Sequence, residues 1–174
     1  MSQSPRRNWS PHEGLITALA IGGFFIILGL VFALTPGIPH ETNVFFSDLT
    51  TRTYPFGGPG STMSIVAPAN PAQHTVFYNA VMNFLLGVGI LQIVILALRF
   101  YVKSPVRRIA ETIGNLIFWL GAAVLANIFL LAGTLNGWFQ FWSALIILIG
   151  VSLIARFFVH LAARQYGAAR IKEP

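Results

Sequence analysis

Residues 76–98 read VFYNAVMNFLLGVGILQIVILAL, twenty-three residues without a single Asp, Glu, Lys or Arg. A helix needs about 20 predominantly apolar residues to cross a bilayer core about 30 Å thick. Three further stretches approach the same requirement, at residues 15–34, 109–132 and 138–155. The sequence therefore predicts an all-α membrane protein built as a bundle of four transmembrane helices.

The composition agrees with this fold class. The 174 residues are 55% hydrophobic and only 9% charged, whereas an ordinary soluble domain carries roughly 25% charged residues. The chain has no cysteine, which excludes disulfides, thiolate zinc sites, iron–sulfur clusters and a cysteine nucleophile. All four histidines lie at helix ends or in loops, where they are poorly placed to ligate a haem between helices. We expect no cofactor.

Prolines and glycines divide the chain. Proline opens three crossings, because it is tolerated in the first helical turn, and Pro36-Gly37 ends the first helix. The turn at residues 133–137 predicts that the last two helices pack as an antiparallel hairpin. We expect one membrane domain at 1–174: a tail at 1–10, crossings at 11–35, 71–101, 105–132 and 137–166, an extracytoplasmic loop at 36–70 and a tail at 167–174.

Lysine and arginine predict the orientation. Ten of the eleven basic residues flank one end of the predicted crossings, and only Arg52 flanks the other. By the positive-inside rule this places both termini in the cytoplasm, in a multi-pass protein of the cell membrane. The bias explains the net charge of +6 without any nucleic acid. The basic candidates for contact with anionic lipid headgroups on the cytoplasmic side are Arg107, Arg108, Arg156 and Arg164.

The loop at 36–70 predicts a small β-hairpin. Residues 43–56 and 61–67 are rich in Thr, Val, Phe and Tyr, and the segment Gly57-Gly58-Pro59-Gly60 between them is a strong turn signal. We expect the hairpin to lie on the outer end of the bundle. A loop of this length in a compact protein is often functional, and it is a candidate surface for a partner.

Small and polar residues predict which helix faces meet. Helices in lipid associate through close packing and hydrogen bonds. We expect three stripes to face inward: Ala18, Gly22, Gly29 and Ala33; Asn79, Asn83 and Gly87; and Ala122 and Ala126.

Amide side chains form a candidate intramembrane polar network. An amide in hydrocarbon is costly unless it is paired, so these residues serve either as interhelical hydrogen bonds or as a polar path. Gln92 points away from the Asn79 stripe and is a candidate contact with another subunit. Trp119, near mid-membrane, brings an N–H that needs a partner. The six amides are Asn79, Asn83, Gln92, Asn115, Asn127 and Gln140.

Three functions remain open. The leading hypothesis is a non-enzymatic accessory or scaffold subunit, which binds a protein partner or itself through its outer loop and helix seams. A second is a small permease or channel for a neutral or lipid-like solute, although no charged residue lies mid-crossing. A third is an interfacial lipid-acting enzyme using His40, Glu41 or His74. These residues and Asp48 match no metal-ligand motif, and we expect no metal.

Overall fold

The computed structural model describes the backbone of residues 11–55, 58 and 60–170. Within these ranges, side chains are described from residue 13 to residue 163. The elements are α1 (Pro11–Leu34), α2 (Ile38–Ser47), β1 (Leu49–Pro55), β2 (Thr62–Pro68), α3 (Thr75–Tyr101), α4 (Val106–Leu125) and α5 (Leu135–Arg170). A 3₁₀ turn at Pro71–His74 leads into α3, and a π-helical segment at Ala126–Leu130 continues α4. The predicted tail at 1–10 and the last four residues lie outside the described part of the chain.

Four helices are long and apolar enough to cross a membrane, as the sequence predicts. They cover Glu13–Leu34, Pro71–Tyr101, Val106–Leu130 and Leu135–Ala163. Length and composition therefore fit a multi-pass membrane protein.

The long helices lie in the order α1, α3, α4, α5, so that α3 and α4 are the central pair. Glycines allow the central helices to approach closely. A Cβ at Gly89 of α3 would lie 2.3 Å from Leu120 Cδ2, and one at Gly121 of α4 would lie 2.6 Å from Leu148 Cδ1. Close backbone approach is the main way that helices gain packing in lipid.

The predicted seam of α1 is wrong. Its small residues are exposed, and nothing lies within 4 Å of a Cβ built at Gly22 or Gly29. The face toward α3 is instead centred on Gly23, where a Cβ would lie 2.8 Å from Leu91 Cδ1. On α4, by contrast, Ala122 and Ala126 are buried as predicted.

One end of the bundle carries a cap, by which we mean α2 and the β1–β2 hairpin, residues 38–68. The two-stranded antiparallel sheet, with register Leu49↔Pro68 to Pro55↔Thr62, confirms the predicted hairpin. The prediction of extended structure from residue 43 is wrong, because residues 38–47 form α2. Helix α2 begins after Gly37 at φ 74° and carries a proline in its first turn. Its Phe45 ring stacks on Phe77 of α3, with centroids 4.3 Å apart.

The opposite end is the basic end, which carries Arg99, Lys103, Arg107, Arg108 and Arg156. Here the Ser104 hydroxyl, in the α3–α4 turn, donates to the Glu13 carboxylate and ties down the start of α1. Arg99, which is buried, donates to the Arg108 backbone carbonyl. These bonds join α1, α3 and α4 at a point where the apolar packing ends.

Candidate functional site: an aromatic cavity beneath the cap

A cavity of about 890 Å³ lies beneath the cap. Its floor is α4, its walls are α3 and α5 on either side of α4, and its roof is the cap. No charged residue lines it among the described residues. The lining residues are Phe45, Phe46, Leu49, Met63, Ile65, Val66, Phe77, Tyr78, Val81, Leu85, Phe118, Trp119, Ala122, Leu130, Trp138, Phe139, Phe141, Trp142, Ser143, Leu145 and Ile146.

Helical spacing builds the floor and walls. Residues three or four apart share a face of a helix. Phe118 and Ala122 are therefore stacked along α4, and Trp138, Trp142 and Leu145 along α5. Ala122 is 1% exposed and has the smallest side chain on the floor. Ala122 therefore leaves space on the floor between the larger aromatic side chains.

Asp48 organises the roof at the junction of α2, β1 and the 3₁₀ turn. Its carboxylate accepts hydrogen bonds from His74 Nε2 at 2.8 Å, from the Asn70 backbone N–H at 2.8 Å and from Asn70 Nδ2 at 3.3 Å. The His74 hydrogen bond, followed by the Asn70 backbone N–H, lowers the pKa of Asp48 below its ordinary value of 3.8. The carboxylate is thus held in the charged form.

His74 is fully buried beside this carboxylate. Its Nδ1 has no hydrogen-bond partner among the described residues, and neither has the nearby buried hydroxyl of Tyr78. A ring without accessible surface does not contact a substrate in this structure. The Asp48–His74 pair therefore acts as a tie between the cap and α3.

Two further hydrogen bonds attach the roof to the start of α5. The Tyr54 hydroxyl of β1 donates to Asn136 Oδ1 at 2.7 Å, and its ring lies 3.8 Å from the ring of Phe139 between centroids. The Trp138 indole N–H donates to the Val66 carbonyl of β2 at 3.2 Å. The hairpin is thus fixed to α5 while Asp48 fixes it to α3.

The rim of the cavity is apolar and exposed. Phe46 and Val66 of the cap, and Trp142 and Ile146 of α5, are all exposed at its edge. Because Trp142 and Ile146 lie within the apolar span of α5, the opening faces sideways from the bundle. An exposed apolar rim of this kind marks a binding groove more often than a free surface.

The six predicted amides are not brought together into one network. Asn115 of α4 accepts from Arg156 Nη2 of α5 at 2.8 Å, and Asn127 donates to Met82 Sδ at 3.3 Å. Asn79 donates to the Thr75 carbonyl of its own helix. Within the described part of the chain, the side chains of Asn83, Gln92 and Gln140 make no hydrogen bond. None of the six lines the cavity.

The predicted inward stripe on α3 is also wrong, because Asn79 and Asn83 are both exposed. Gln92, predicted to point away from this stripe, is half-buried. Gly87 of that stripe does meet another helix, since a Cβ there would lie 2.8 Å from Ile27 of α1.

The predicted lipid-contacting arginines share the basic end. Arg107 and Arg108 pair with Glu111 at 3.2 and 3.6 Å. The half-buried Arg156 packs against Gly114, where a Cβ would lie 2.2 Å from its Nε. Arg164 lies in α5, just beyond residue 163, the last residue whose side chain is described.

The cavity was not predicted from the sequence, although Trp138, Phe139, Phe141 and Trp142 all lie in the first turns of α5. The available signal was the crowding of four aromatic residues at the start of one helix, opposite a loop rich in phenylalanine. The Asp48–His74 pair has no local motif, since 26 residues separate its members. Among the described residues, no group of three or more His, Asp or Glu is arranged to hold a metal.

The chain matches no protein-family model, and no curated protein or solved structure is significantly similar to it.

Proposed function

We propose that this protein is a non-enzymatic multi-pass membrane protein that holds a lipid-like molecule, an acyl or isoprenoid chain, in the cavity beneath its cap. The observation that carries the proposal is the cavity itself. Its volume of about 890 Å³ lies within the roughly 300 to 1,000 Å³ typical of small-molecule sites. Its side chains are almost all aromatic or aliphatic.

An apolar chain fits this lining better than a polar solute does. Burial of apolar surface stabilises a bound chain by about 25 cal/mol per Å². A polar solute would lose its hydration and find few partners, because the lining offers little beyond the Ser143 and Tyr78 hydroxyls and the indole N–H groups. Of these, the Trp138 N–H is already bonded to the Val66 carbonyl. The Trp119 indole has no hydrogen-bond partner among the described residues and is available to an oxygen on the ligand.

Tryptophan fluorescence tests the proposal directly, because Trp119, Trp138 and Trp142 all line the cavity. The purified protein, in a detergent without bromine, is titrated with a brominated fatty acid. We expect saturable quenching near one ligand per chain. Quenching that rises linearly without saturation would instead indicate partition into the micelle and count against the site.

A matched pair of variants locates the binding. Ser143→Phe adds an aromatic ring at the α5 side of the lining and is expected to weaken binding by about tenfold or more, because the ring takes up space that the ligand would fill. Ile147→Phe places the same side chain four residues along α5, at an exposed position outside the lining, and should bind as the parent does. Equal affinities in both variants would contradict the proposal.

The proposed setting is the cell membrane, with both termini in the cytoplasm and the cap on the outer side. Support comes from the bias of the basic residues. In this orientation the exposed Arg107 and Arg108 meet anionic headgroups, whereas Arg156 is bonded to Asn115 between α4 and α5. In intact cells, a membrane-impermeant maleimide should label Met63→Cys in the cap but not Lys103→Cys at the basic end. The reverse pattern would invert the topology.

The second candidate is the accessory or scaffold subunit. It is favoured by the face of α1 that carries Ala18, Gly22, Gly29 and Ala33, which meets no other described element. Such a face suits a transmembrane helix of a partner protein. Gly22→Leu should then remove a co-purifying protein from native preparations, and Gly150→Leu, at a glycine of α5 that is likewise open to space, should not. The permease hypothesis gains no support from the described residues, because its amides line no path.

A further inference from the structure

The face of α3 that is turned away from α1 and α4 is exposed along the whole helix. It carries Val76, Asn79, Asn83, Leu86 and Ile90, spaced three or four residues apart and therefore on one stripe. On the other faces, Phe84 packs edge-to-face on Phe24 of α1, and Gly89 meets Leu120 of α4. This outward stripe is distinct from the cavity.

Asn83 stands out on this stripe because of its depth. In the apolar span Pro71–Tyr101 it lies 12 residues from one end and 18 from the other, or about 18 and 27 Å along a helix. Both distances exceed the width of a headgroup region, so the carboxamide faces hydrocarbon. It makes no hydrogen bond to any described residue. A carboxamide left unpaired in hydrocarbon is unfavourable.

We propose that this face of α3 pairs with the same face of a second copy of the chain, and that Asn83 hydrogen-bonds to the partner subunit's Asn83. A carboxamide carries both an N–H donor and a carbonyl acceptor, so it complements itself. A two-fold axis beside Asn83 brings identical groups together and satisfies both copies with two reciprocal hydrogen bonds.

The residues around Asn83 suit the same pairing. Leu86 and Ile90 continue the stripe toward the basic end as an aliphatic surface that packs on its copy. Asn79 lies one turn nearer the cap and donates from Nδ2 to the Thr75 backbone carbonyl. Its side-chain oxygen accepts no hydrogen bond within the described part of the chain. Asn127 is exposed beside this face, bonded to Met82. The stripe carries no charge that would repel its copy.

The absence of native cysteine makes disulfide cross-linking a clean test. Single cysteines at Leu86 and Ile90 on the stripe, and at Ile147 on the exposed surface of α5, are introduced into the full chain and reconstituted at a low protein-to-lipid ratio. We expect oxidised dimers from Leu86→Cys and Ile90→Cys and none from Ile147→Cys. Equal cross-linking at the three positions would mean random collision and overturn the proposal.

Substitution of the amide tests its role. Asn83→Leu should weaken the dimer by roughly tenfold in dissociation constant, since two interhelical hydrogen bonds are lost in lipid. Asn83→Gln keeps the donor and acceptor and should retain most of the affinity. Single-molecule photobleaching in liposomes measures the dimer fraction, and tryptophan fluorescence verifies that each variant is folded. A purified parent chain that is monomeric, or an Asn83→Leu dimer as tight as the parent, would overturn the proposal, the former in favour of another protein as the partner.

Discussion

His74 donates from Nε2 to the Asp48 carboxylate across 2.8 Å, and so joins the end of α2 to the turn that starts α3. The same carboxylate accepts the Asn70 backbone N–H, and the backbone carbonyl of Asp48 accepts from Ala69 N–H beyond β2. One residue therefore closes the hairpin and fixes it to the helix bundle. The roof of the cavity depends on this junction.

Asp48→Ala should loosen the cap. The substitution leaves a buried His74 ring nitrogen without its partner, which costs about 1 to 2 kcal/mol. Hydrogen exchange in β1 and β2 should accelerate accordingly, while exchange in α4 stays unchanged. Glu41→Ala is the matched control, because this acid lies in the preceding helix α2 and its carboxylate makes no hydrogen bond to the described residues. Equal acceleration in both variants would show that the loss of an acid, rather than of the junction, is responsible.

Acid should loosen the cap in the same way. The pKa of Asp48 is lower in the folded protein than its ordinary value of 3.8, so the carboxylate stabilises the folded cap above that value. This stabilisation is lost as the pH falls below 3.8 and through the lowered pKa. The protection of hairpin amides, relative to their intrinsic exchange rates, should therefore not depend on Asp48 between pH 7 and about 5, and should fall once the pH drops below 3.8. Asp48→Asn should remove this part of the pH dependence.

The four long helices could be predicted because their lengths and apolar content are local properties of the sequence. The inward face of α1 could not, because lipid and protein interior are equally apolar and both sides of the helix are apolar. Helix α2 was missed for a different reason. Residues 43–46 favour strands by composition, but the stacking of Phe45 on Phe77 holds them in a helix, and that contact joins distant parts of the chain.

The cavity depends on the same kind of long-range placement. Trp138 and Phe45 are far apart in sequence, and only the fold brings their ring centroids to 5.9 Å. The predicted amides likewise failed to converge because spacing fixes a helix face without fixing its neighbour. Asn115 accepts a hydrogen bond from Arg156, a residue that the sequence indicated as a lipid contact. For Asn115 the residue type predicted the need for a partner, but not which residue it would be.

Gly89→Ala should destabilise the central helix pair. The new Cβ would lie 2.3 Å from Leu120 Cδ2 and 3.3 Å from the Leu120 backbone nitrogen, so side-chain rotation alone does not relieve the contact. Overpacking of this kind costs about 1 to 3 kcal/mol. Gly150→Ala is the control, since nothing lies within 4 Å of its Cβ and helix propensity favours it by about 0.5 to 1 kcal/mol. In thermal unfolding in detergent, we expect a lower Tm for Gly89→Ala than for Gly150→Ala. The opposite order would contradict the close packing of Gly89 on Leu120.

Tyr54→Phe tests whether the cap controls access to the cavity. The variant removes the hydrogen bond to Asn136 and keeps the ring against Phe139. Loss of one partly exposed hydrogen bond costs about 0.5 to 1 kcal/mol, which corresponds to a two- to fivefold rise in the population of the open cap.

If the bound acyl chain enters and leaves the cavity past the cap, the rate of ligand release from Tyr54→Phe should rise by the same two- to fivefold. Release of the brominated fatty acid is followed by recovery of tryptophan fluorescence. Tyr101→Phe, at a tyrosine that is 87% exposed on the basic end, should release the ligand at the parent rate. Faster exchange in β1 and β2 with unchanged release would mean that the ligand leaves sideways, through the rim at Trp142 and Ile146, and that the cap acts as a fixed roof.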